Sequence, residues 1–278
     1  MKYIAYNPHS GHGKSAELAK EYAEKVGAQV VDITEIESYD KLFEKLTAED
    51  SFILYGGDGT LNRFINDIGE LTTEAKIYYF PSGTGNDFAL DVGKADATEP
   101  FEITQYLHDL PVVTVNGKSA KFINGIGYGV DGYCCEEGDR VRLKGKKPNY
   151  TAIAIKGVLG FFKPVTATVI IDGVERVFKK TWIAPAMFGG HYGGGIYPTP
   201  GQVRDGERKL STCVFHGSGR LKTLLIFPKL FKGDHLKYDK YITVISGKEI
   251  TVKFDRPTAL QIDGETVLNV TEYTAKIH

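Results

Sequence analysis

Cysteine is scarce in this chain: three in 278 residues, two of them adjacent (Cys134, Cys135) and one distant (Cys213). Three thiols so placed make no disulfide framework, and no Cys/His spacing typical of a zinc site occurs, so reduced thiols are expected. Long apolar runs are also missing. No uninterrupted stretch approaches the ~20 residues of a membrane span, and the opening residues MKYIAYNPHS lack the apolar stretch of a secretory signal. The expectation is a soluble, cytoplasmic protein. Charged residues at 25% and hydrophobic residues at 42% exclude a disordered chain, and 32 glycines exceed the ordinary share without reaching a collagen-like one.

Net charge is almost absent as well, at −1. That total averages two opposite halves. Residues 1–110 carry 9 basic and 20 acidic side chains, whereas residues 111–278 carry 25 basic and 15 acidic. At ~150 residues per domain the length suggests two domains, and the change in texture falls in the same place as the change in charge.

The first 110 residues alternate short apolar runs with helical spacing. KYIAY (2–6), QVVDI (29–33), SFILY (51–55) and KIYYF (76–80) read as strands. Helices are predicted between Ala16 and Val26, over Asp40–Leu46 and over Leu61–Ile68. This rhythm predicts an α/β domain over residues 1–110 with a mainly parallel sheet, whose ligands bind at the carboxyl ends of the strands. From residue 111 onward, hairpin signals take over: Asn116-Gly117, Asp172-Gly173, Ser246-Gly247 and Asp263-Gly264 each interrupt alternating apolar residues. An antiparallel β-sandwich domain is predicted over 111–278, with helices near 149–160 and 218–232 and a final segment free to return to the first domain.

Two loops carry the chemistry. GGDGT (56–60) follows a predicted strand directly, and three glycines in four positions let the backbone turn several N–H groups toward one anion. Asp58 would repel a bare phosphate, so the loop suits a phosphate bridged by a divalent cation. A glycine-rich turn with a capping aspartate is the plainer alternative. The second loop, PSGTGNDFA (81–89), follows the next strand, and Asp87 in it also reads as a helix N-cap. Two other glycine patterns are rejected. The stretch ending Gly13-Lys14-Ser15 has Pro8 where a P-loop needs glycine, and Gly127-Tyr128-Gly129-Val130-Asp131-Gly132 lacks a βαβ setting and is read as turns.

NPHSG (7–11), GGDGT (56–60) with Asn62, and SGTGNDFA (82–89) resemble the diacylglycerol kinase catalytic-domain family of lipid kinases, which includes bacterial diacylglycerol kinases and sphingosine kinases. NGIGYGVDG (124–132), GGGIYPTPGQVRDG (193–206) and QIDGE (261–265) extend the resemblance through the chain in the family's order. GGDGT alone is shared with NAD kinases and resembles phosphofructokinase-type sites; GTGNDFA and IDGE are more specific to the lipid kinases. The resemblance implies a phosphofructokinase/NAD kinase-like first domain and an ATP- and Mg²⁺-dependent kinase acting on the hydroxyl of diacylglycerol or a related lipid alcohol. It implies that Gly57, Gly59 and Thr60 cradle the ATP phosphates. Asn7, Ser10, Gly83 and Thr84 complete the nucleotide pocket, with Thr34 nearby.

Asp58, Asp87 and Glu265 match the acidic set that organises Mg²⁺ and activates the acceptor, Glu265 as general base. Read alone, Glu265 only follows a hairpin turn. Asp205 matches a structural metal ligand of some members, but the segment from Asp205 to Leu210 is about two residues longer than the family's pattern, and a surface turn is an equal reading. The rivals are a soluble-substrate kinase of the NAD kinase type and a non-catalytic nucleotide-binding regulator. A homodimer is left open.

Residues 140–163 hold seven Lys/Arg and no acid, interleaved with Ile155, Val158, Leu159, Phe161 and Phe162, and residues 220–232 repeat that chemistry. Such stretches predict peripheral contact with an anionic membrane surface, the alternative being ordinary core residues with lysines solvating them. They hold no recognised nucleic-acid motif, and no nucleic-acid partner is expected.

Overall fold

The computed structural model describes residues 1–83, 85–204 and 207–277, with residues 11 and 12 described for their backbone only. Contacts divide the chain into two compact units, Met1–Leu110 and Pro111–His278.

The first unit is a five-stranded sheet with the strand order β2-β1-β3-β4-β5, formed by β1 (Lys2–Tyr6), β2 (Gln29–Asp32), β3 (Ser51–Gly56), β4 (Lys76–Pro81) and β5 (Phe101–Glu102). The first four strands run parallel, and β5 pairs antiparallel with β4. Alternation along β3 divides its side chains between two faces. Ile53 and Tyr55 join Ile4 beneath α1 (Lys14–Val26), which contributes Ala19 and Ala23. On the other face Phe52 stacks on Phe64 of α3 (Asp58–Asp67) at 5.6 Å, and Tyr39 and Phe43 of α2 (Tyr39–Phe43) close edge-on around them. Helices on both faces leave the central strand no wet side, which is why FILYG (52–56) is buried throughout and carries no charged side chain. Each such aromatic ring contributes about 2 kcal/mol by leaving water.

Some element boundaries differ from expectation. β2 stops at Asp32 because its carboxylate accepts the Thr34 N–H and opens a 3₁₀ turn over Ile33–Glu35. Ser38 caps α2, which is shorter than the predicted Asp40–Leu46 and begins a residue earlier. The helix expected from Leu61 starts at Asp58, so the last three residues of GGDGT form its first turn.

The second unit is antiparallel throughout. Its strands are β6 (Val112–Val115), β7 (Lys118–Lys121), β8 (Gly125–Tyr128), β9 (Val165–Ile171), β10 (Val174–Thr181), β11 (Ala186–Met187), β12 (Leu210–Phe215), β13 (Ile242–Gly247), β14 (Glu249–Ile262) and β15 (Glu265–Lys276). β14 organises them. Its first half, Ile250–Phe254, pairs with β9, and its last residues, Leu260–Ile262, pair with β8. Between the halves the register slips around Pro257, which has no N–H to give a ladder. The sheet therefore forks into two leaves, β10-β9-β14-β15-β6-β7 and β13-β12-β11-β8-β14, joined through one bent strand. The final strand β15 pairs with β14 and β6, inside this unit.

Three of the four expected hairpins form, and each has left-handed backbone at both turn residues: Asn116 and Gly117 (φ 50° and 73°), Asp172 and Gly173 (48° and 83°), Asp263 and Gly264 (45° and 98°). The fourth does not. β13 pairs with β12, while β14 pairs with β9, β8 and β15. Neither Ser246 nor Gly247 has positive φ, and Asp172 accepts the N–H groups of Lys248 and Glu249 to turn the chain from one leaf to the other. The glycine pattern at 127–132, expected to be turns, is instead the end of β8 and the start of helix α5 (Val130–Leu143). Helices α6 (Tyr150–Lys156) and α7 (Arg220–Ile226) run on into a π turn, Gly157–Phe161, and a 3₁₀ turn, Phe227–Lys232, respectively. Among the described residues no helix is long and apolar enough to cross a membrane. All three cysteines are free thiols.

Candidate active site

Parallel strands end on one edge of a sheet, so the loops after β1, β2, β3 and β4 share the carboxyl edge of the first unit. Asn7 and Ser10 follow β1, Thr34 follows β2, Gly57–Thr60 follow β3, and Gly83 and Asp87 follow β4. Thr84 lies outside the described residues, as does Asp205 in the second unit.

The loops after β3 and β4 meet backbone to backbone. A Cβ on Gly57 would lie 2.9 Å from the Gly83 Cα, and one on Gly83 would lie 2.5 Å from the Gly57 Cα. Only glycine at both positions allows this approach. A Cβ on Gly56 would collide with the Thr60 side chain at 2.4 Å. Thr60 is buried and accepts a hydrogen bond from the Asn7 Nδ2 at 3.0 Å, tying the β1 loop to the β3 loop. Ser10 borders the same space, its Oγ 3.8 Å from where a Gly57 Cβ would be. The first turn of α3 contains Gly59 and Thr60, whose N–H groups precede any intrahelical acceptor, and the partial positive end of the helix favours an anion there.

Asp58 ties the loops together electrostatically. Its two carboxylate oxygens accept the N–H groups of Asp87 (2.8 Å) and Phe88 (3.1 Å), the first residues of α4 (Asp87–Asp91). Asp58 thus stands in for an N-cap that Asn86 does not supply. Asn86 instead adopts left-handed backbone (φ 46°) and closes the second loop on itself, its side chain accepting the Gly83 N–H and donating to the Gly83 carbonyl. Both carboxylates lie close to Tyr79: burial, then Asp58 and Asp87, push its hydroxyl well above the usual range, and it donates to the Gly56 carbonyl. Thr34 is exposed, and its N–H and hydroxyl both donate to Asp32.

Sequence reasoning missed Tyr79, whose hydroxyl role depends on a neighbouring strand. It also missed the Ser15–Ser82 hydroxyl pair linking α1 to the second loop. Neither left a local signal.

This donor set fits magnesium-bound phosphates. Among the described residues no three acidic, histidine or cysteine side chains form a metal cage. A cation held by one or two carboxylates and completing its shell with phosphate oxygens and water suits Mg²⁺, which keeps water and seldom uses an all-protein cage.

In the second unit Glu265 is exposed and opens β15, one residue beyond the Asp263-Gly264 turn. That turn is clamped. Asp263 is buried and accepts the N–H groups of Ile123, Asn124 and Gly125 at 2.7–2.9 Å, while Gln261 accepts the Gly264 N–H at 2.6 Å. Gln261 in turn packs on Gly127 beside Asp131. Asp131, buried at the start of α5, accepts the Tyr192 hydroxyl at 2.6 Å, and burial raises its carboxyl to about 6. Burial also pushes the Cys135 thiol up to about 12, aided by the charges of Asp131, Asp139 and Glu265.

Comparison with known proteins identifies the family. Residues 2–114 match the model of the diacylglycerol kinase catalytic domain, and residues 124–276 match the YegS C-terminal NAD kinase beta sandwich-like domain. A diacylglycerol kinase of Mycobacterium tuberculosis is 26% identical over 257 residues, covering 85% of this chain and 80% of that one. A crystal structure from Bacillus anthracis shares the fold over 100% of this chain and 93% of its own, with a TM-score of 0.67 at 19% identity. A second, of a diacylglycerol kinase from the same organism, covers 99% and 93% with a TM-score of 0.61 at 16% identity. With the two domain matches in family order and the second alone spanning more than half of the residues, the chain belongs to the diacylglycerol kinase family of lipid kinases.

Proposed function

We propose that this lipid kinase transfers the γ-phosphate of ATP, with Mg²⁺, to the hydroxyl of diacylglycerol or a closely related lipid alcohol. The observation that carries this reading is the joining of two sequence-distant loops into one cradle, with Gly57 against Gly83 and Asp58 holding the start of α4. The name of the Mycobacterium tuberculosis relative supports the choice of acceptor.

Bound ATP and Mg²⁺ would supply the phosphoryl group and neutralise its charge. The chain's own residues supply position. Backbone N–H groups of Gly57 and Gly59 bind phosphate oxygens, with Gly83, whose N–H is held by Asn86, closing the cradle against Gly57 and Asn7, Ser10 and Thr60 shaping it. Thr34 stands on the same strand edge, where a nucleotide's non-phosphate part would lie. Asp58 and Asp87 present carboxylates to the cation, Asp58 doing so while its backbone bonds hold it in one orientation. Glu265 accepts the proton of the acceptor hydroxyl, and the clamped turn before it limits how far that carboxylate wanders. Thr84 keeps its expected role in phosphate binding as part of this proposal, and Asp205 keeps both of its readings, a structural-metal ligand or a surface turn.

The test is a transfer assay with γ-labelled ATP and Mg²⁺ against micellar diacylglycerol, monoacylglycerol, ceramide and sphingosine, with NAD offered separately without detergent. A labelled lipid is expected, with diacylglycerol the best acceptor. Labelled NADP and no labelled lipid would overturn the reading in favour of a soluble acceptor, and binding of ATP without any product would favour a regulator.

A further inference from the structure

We infer that Thr266 and Asp139 are positioning residues for Glu265, holding the strand beneath it so that its carboxylate meets the acceptor hydroxyl. The inference rests on the general-base role proposed above for Glu265. That side chain is exposed, so its direction depends on the backbone that carries it.

The ladder under Glu265 is short. Glu265, Thr266 and Val267 pair with Ile262, Gln261 and Leu260. Beyond them Val270 pairs with Thr258, so β15 carries one residue more than β14 between these pairs. Asn269 lies in that stretch with left-handed backbone (φ 57°). A bulge of this kind bends its strand and increases the local twist. It separates the three residues around Glu265 from the regular ladder over Glu272–Lys276.

Asp263 and Gln261 clamp the turn from the β14 side. A second anchor holds the β15 side. The Thr266 hydroxyl donates to Asp139 Oδ2 of α5 at 2.6 Å, joining residues 127 positions apart. Successive strand residues point to opposite faces. A bond that fixes the Thr266 side chain on the α5 face therefore also sets the direction in which Glu265 leaves the other face.

Asp139 is itself held. Its Oδ1 accepts from Arg142 Nη1 at 2.7 Å, and Arg142 Nη2 donates to the Tyr150 hydroxyl at 2.5 Å, with the guanidinium over the Tyr150 ring. Tyr150 begins α6 and packs on Gly138, where a Cβ would stand 2.7 Å from its ring. The Asp139 side chain is 43% exposed, so its ion pair with Arg142 adds little to stability. Placement of a base is far more sensitive: a shift of about 1 Å costs on the order of 100-fold in rate.

The test uses the full chain with labelled ATP, Mg²⁺ and micellar diacylglycerol. Thr266→Val keeps a β-branched shape suited to a strand and removes only the hydroxyl. Its kcat should fall roughly tenfold to a hundredfold, with KM for ATP and the melting temperature unchanged. Thr266→Ser should recover most of that loss, and Asp139→Ala should reproduce it. The double variant Thr266→Val/Glu265→Gln identifies the route. A residue acting through Glu265 should cost nothing further once that carboxylate is gone, whereas a merely structural one costs the same in both backgrounds. Equal cost in both backgrounds, or parental kcat in Thr266→Val, would overturn the proposal and leave the general-base reading standing. Full turnover in Glu265→Gln alone, or no labelled lipid from the parent, would overturn that reading and this proposal together.

Discussion

Gly57 and Gly83 oppose each other so closely that a methyl group on Gly83 would stand 2.5 Å from the Gly57 Cα. Backbone, not a flexible side chain, is what it would strike. Gly83→Ala should therefore force the two loops apart, costing roughly 1–3 kcal/mol of stability and much of the affinity for ATP. Gly160→Ala, where nothing lies within 4 Å, is the control and should leave both unchanged. Denaturant unfolding and ATP titration calorimetry read the two effects, and equal behaviour of the two variants would contradict the cradle.

Asp58 holds α4 by accepting two backbone N–H groups. Asp58→Ala leaves those donors without this acceptor and should cost about 1–3 kcal/mol. Asp58→Asn keeps an oxygen and should recover part of that stability. If the carboxylate also serves the cation, neither variant transfers phosphate, so stability and activity separate in the asparagine variant. An Asp58→Asn enzyme with ordinary turnover would confine Asp58 to the structural role.

Glu265 follows a turn fixed by Asp263 and Gln261, and is itself exposed. Glu265→Gln is nearly isosteric and should not alter folding. A general base is worth roughly 10²–10⁴-fold in rate, so kcat should fall by that range while ATP affinity measured by calorimetry holds. A variant with full turnover would return this residue to its plainer reading as the start of a strand.

Asp131 gives stability a pH signature. Burial raises its carboxyl from 3.8 to about 6, so the folded protein binds this proton more tightly than the unfolded chain does. Its contribution favours folding most below about pH 4 and is lost as pH rises through about 6, a difference of up to about 3 kcal/mol. Asp131→Asn keeps an acceptor for Tyr192 without a charge to bury. The variant should lack this decline and be more stable than the parent at pH 7–8. Denaturation midpoints across pH 4–8 for both proteins decide it, and parallel curves would show that the carboxyl does not titrate there.

What the sequence made legible was local. Asn116-Gly117, Asp172-Gly173 and Asp263-Gly264 announce turns because both residues tolerate positive φ, and all three pairs adopt it. Ser246-Gly247 looks the same on paper, yet the chain crosses between leaves there, with Asp172 supplying acceptors from 76 residues away. Helix α5 left little periodic signal because its buried residues are Val130, Asp131, Gly132 and Gly138 rather than a stripe of large apolar side chains, and Arg140 pairs with Glu136 and Glu137 along it. The glycine loops could be found from spacing, but the Asp58 bonds to α4, the Tyr79 hydroxyl and the Ser15–Ser82 pair join residues 23–67 positions apart. No window of local sequence contains them.

The bent strand β14 has a consequence for the order in which the protein acquires structure during synthesis. The sheet of the first unit is complete once residue 102 has emerged, from strands that follow one another in the chain. In the second unit β8 and β9 wait for their common partner at residues 249–262, more than 75 residues later. At a translation rate of ~5–20 residues per second that leaves two open strand edges unpaired for seconds. The amino-terminal unit can thus be folded at the ribosome while the rest of the chain is still vulnerable to misassembly.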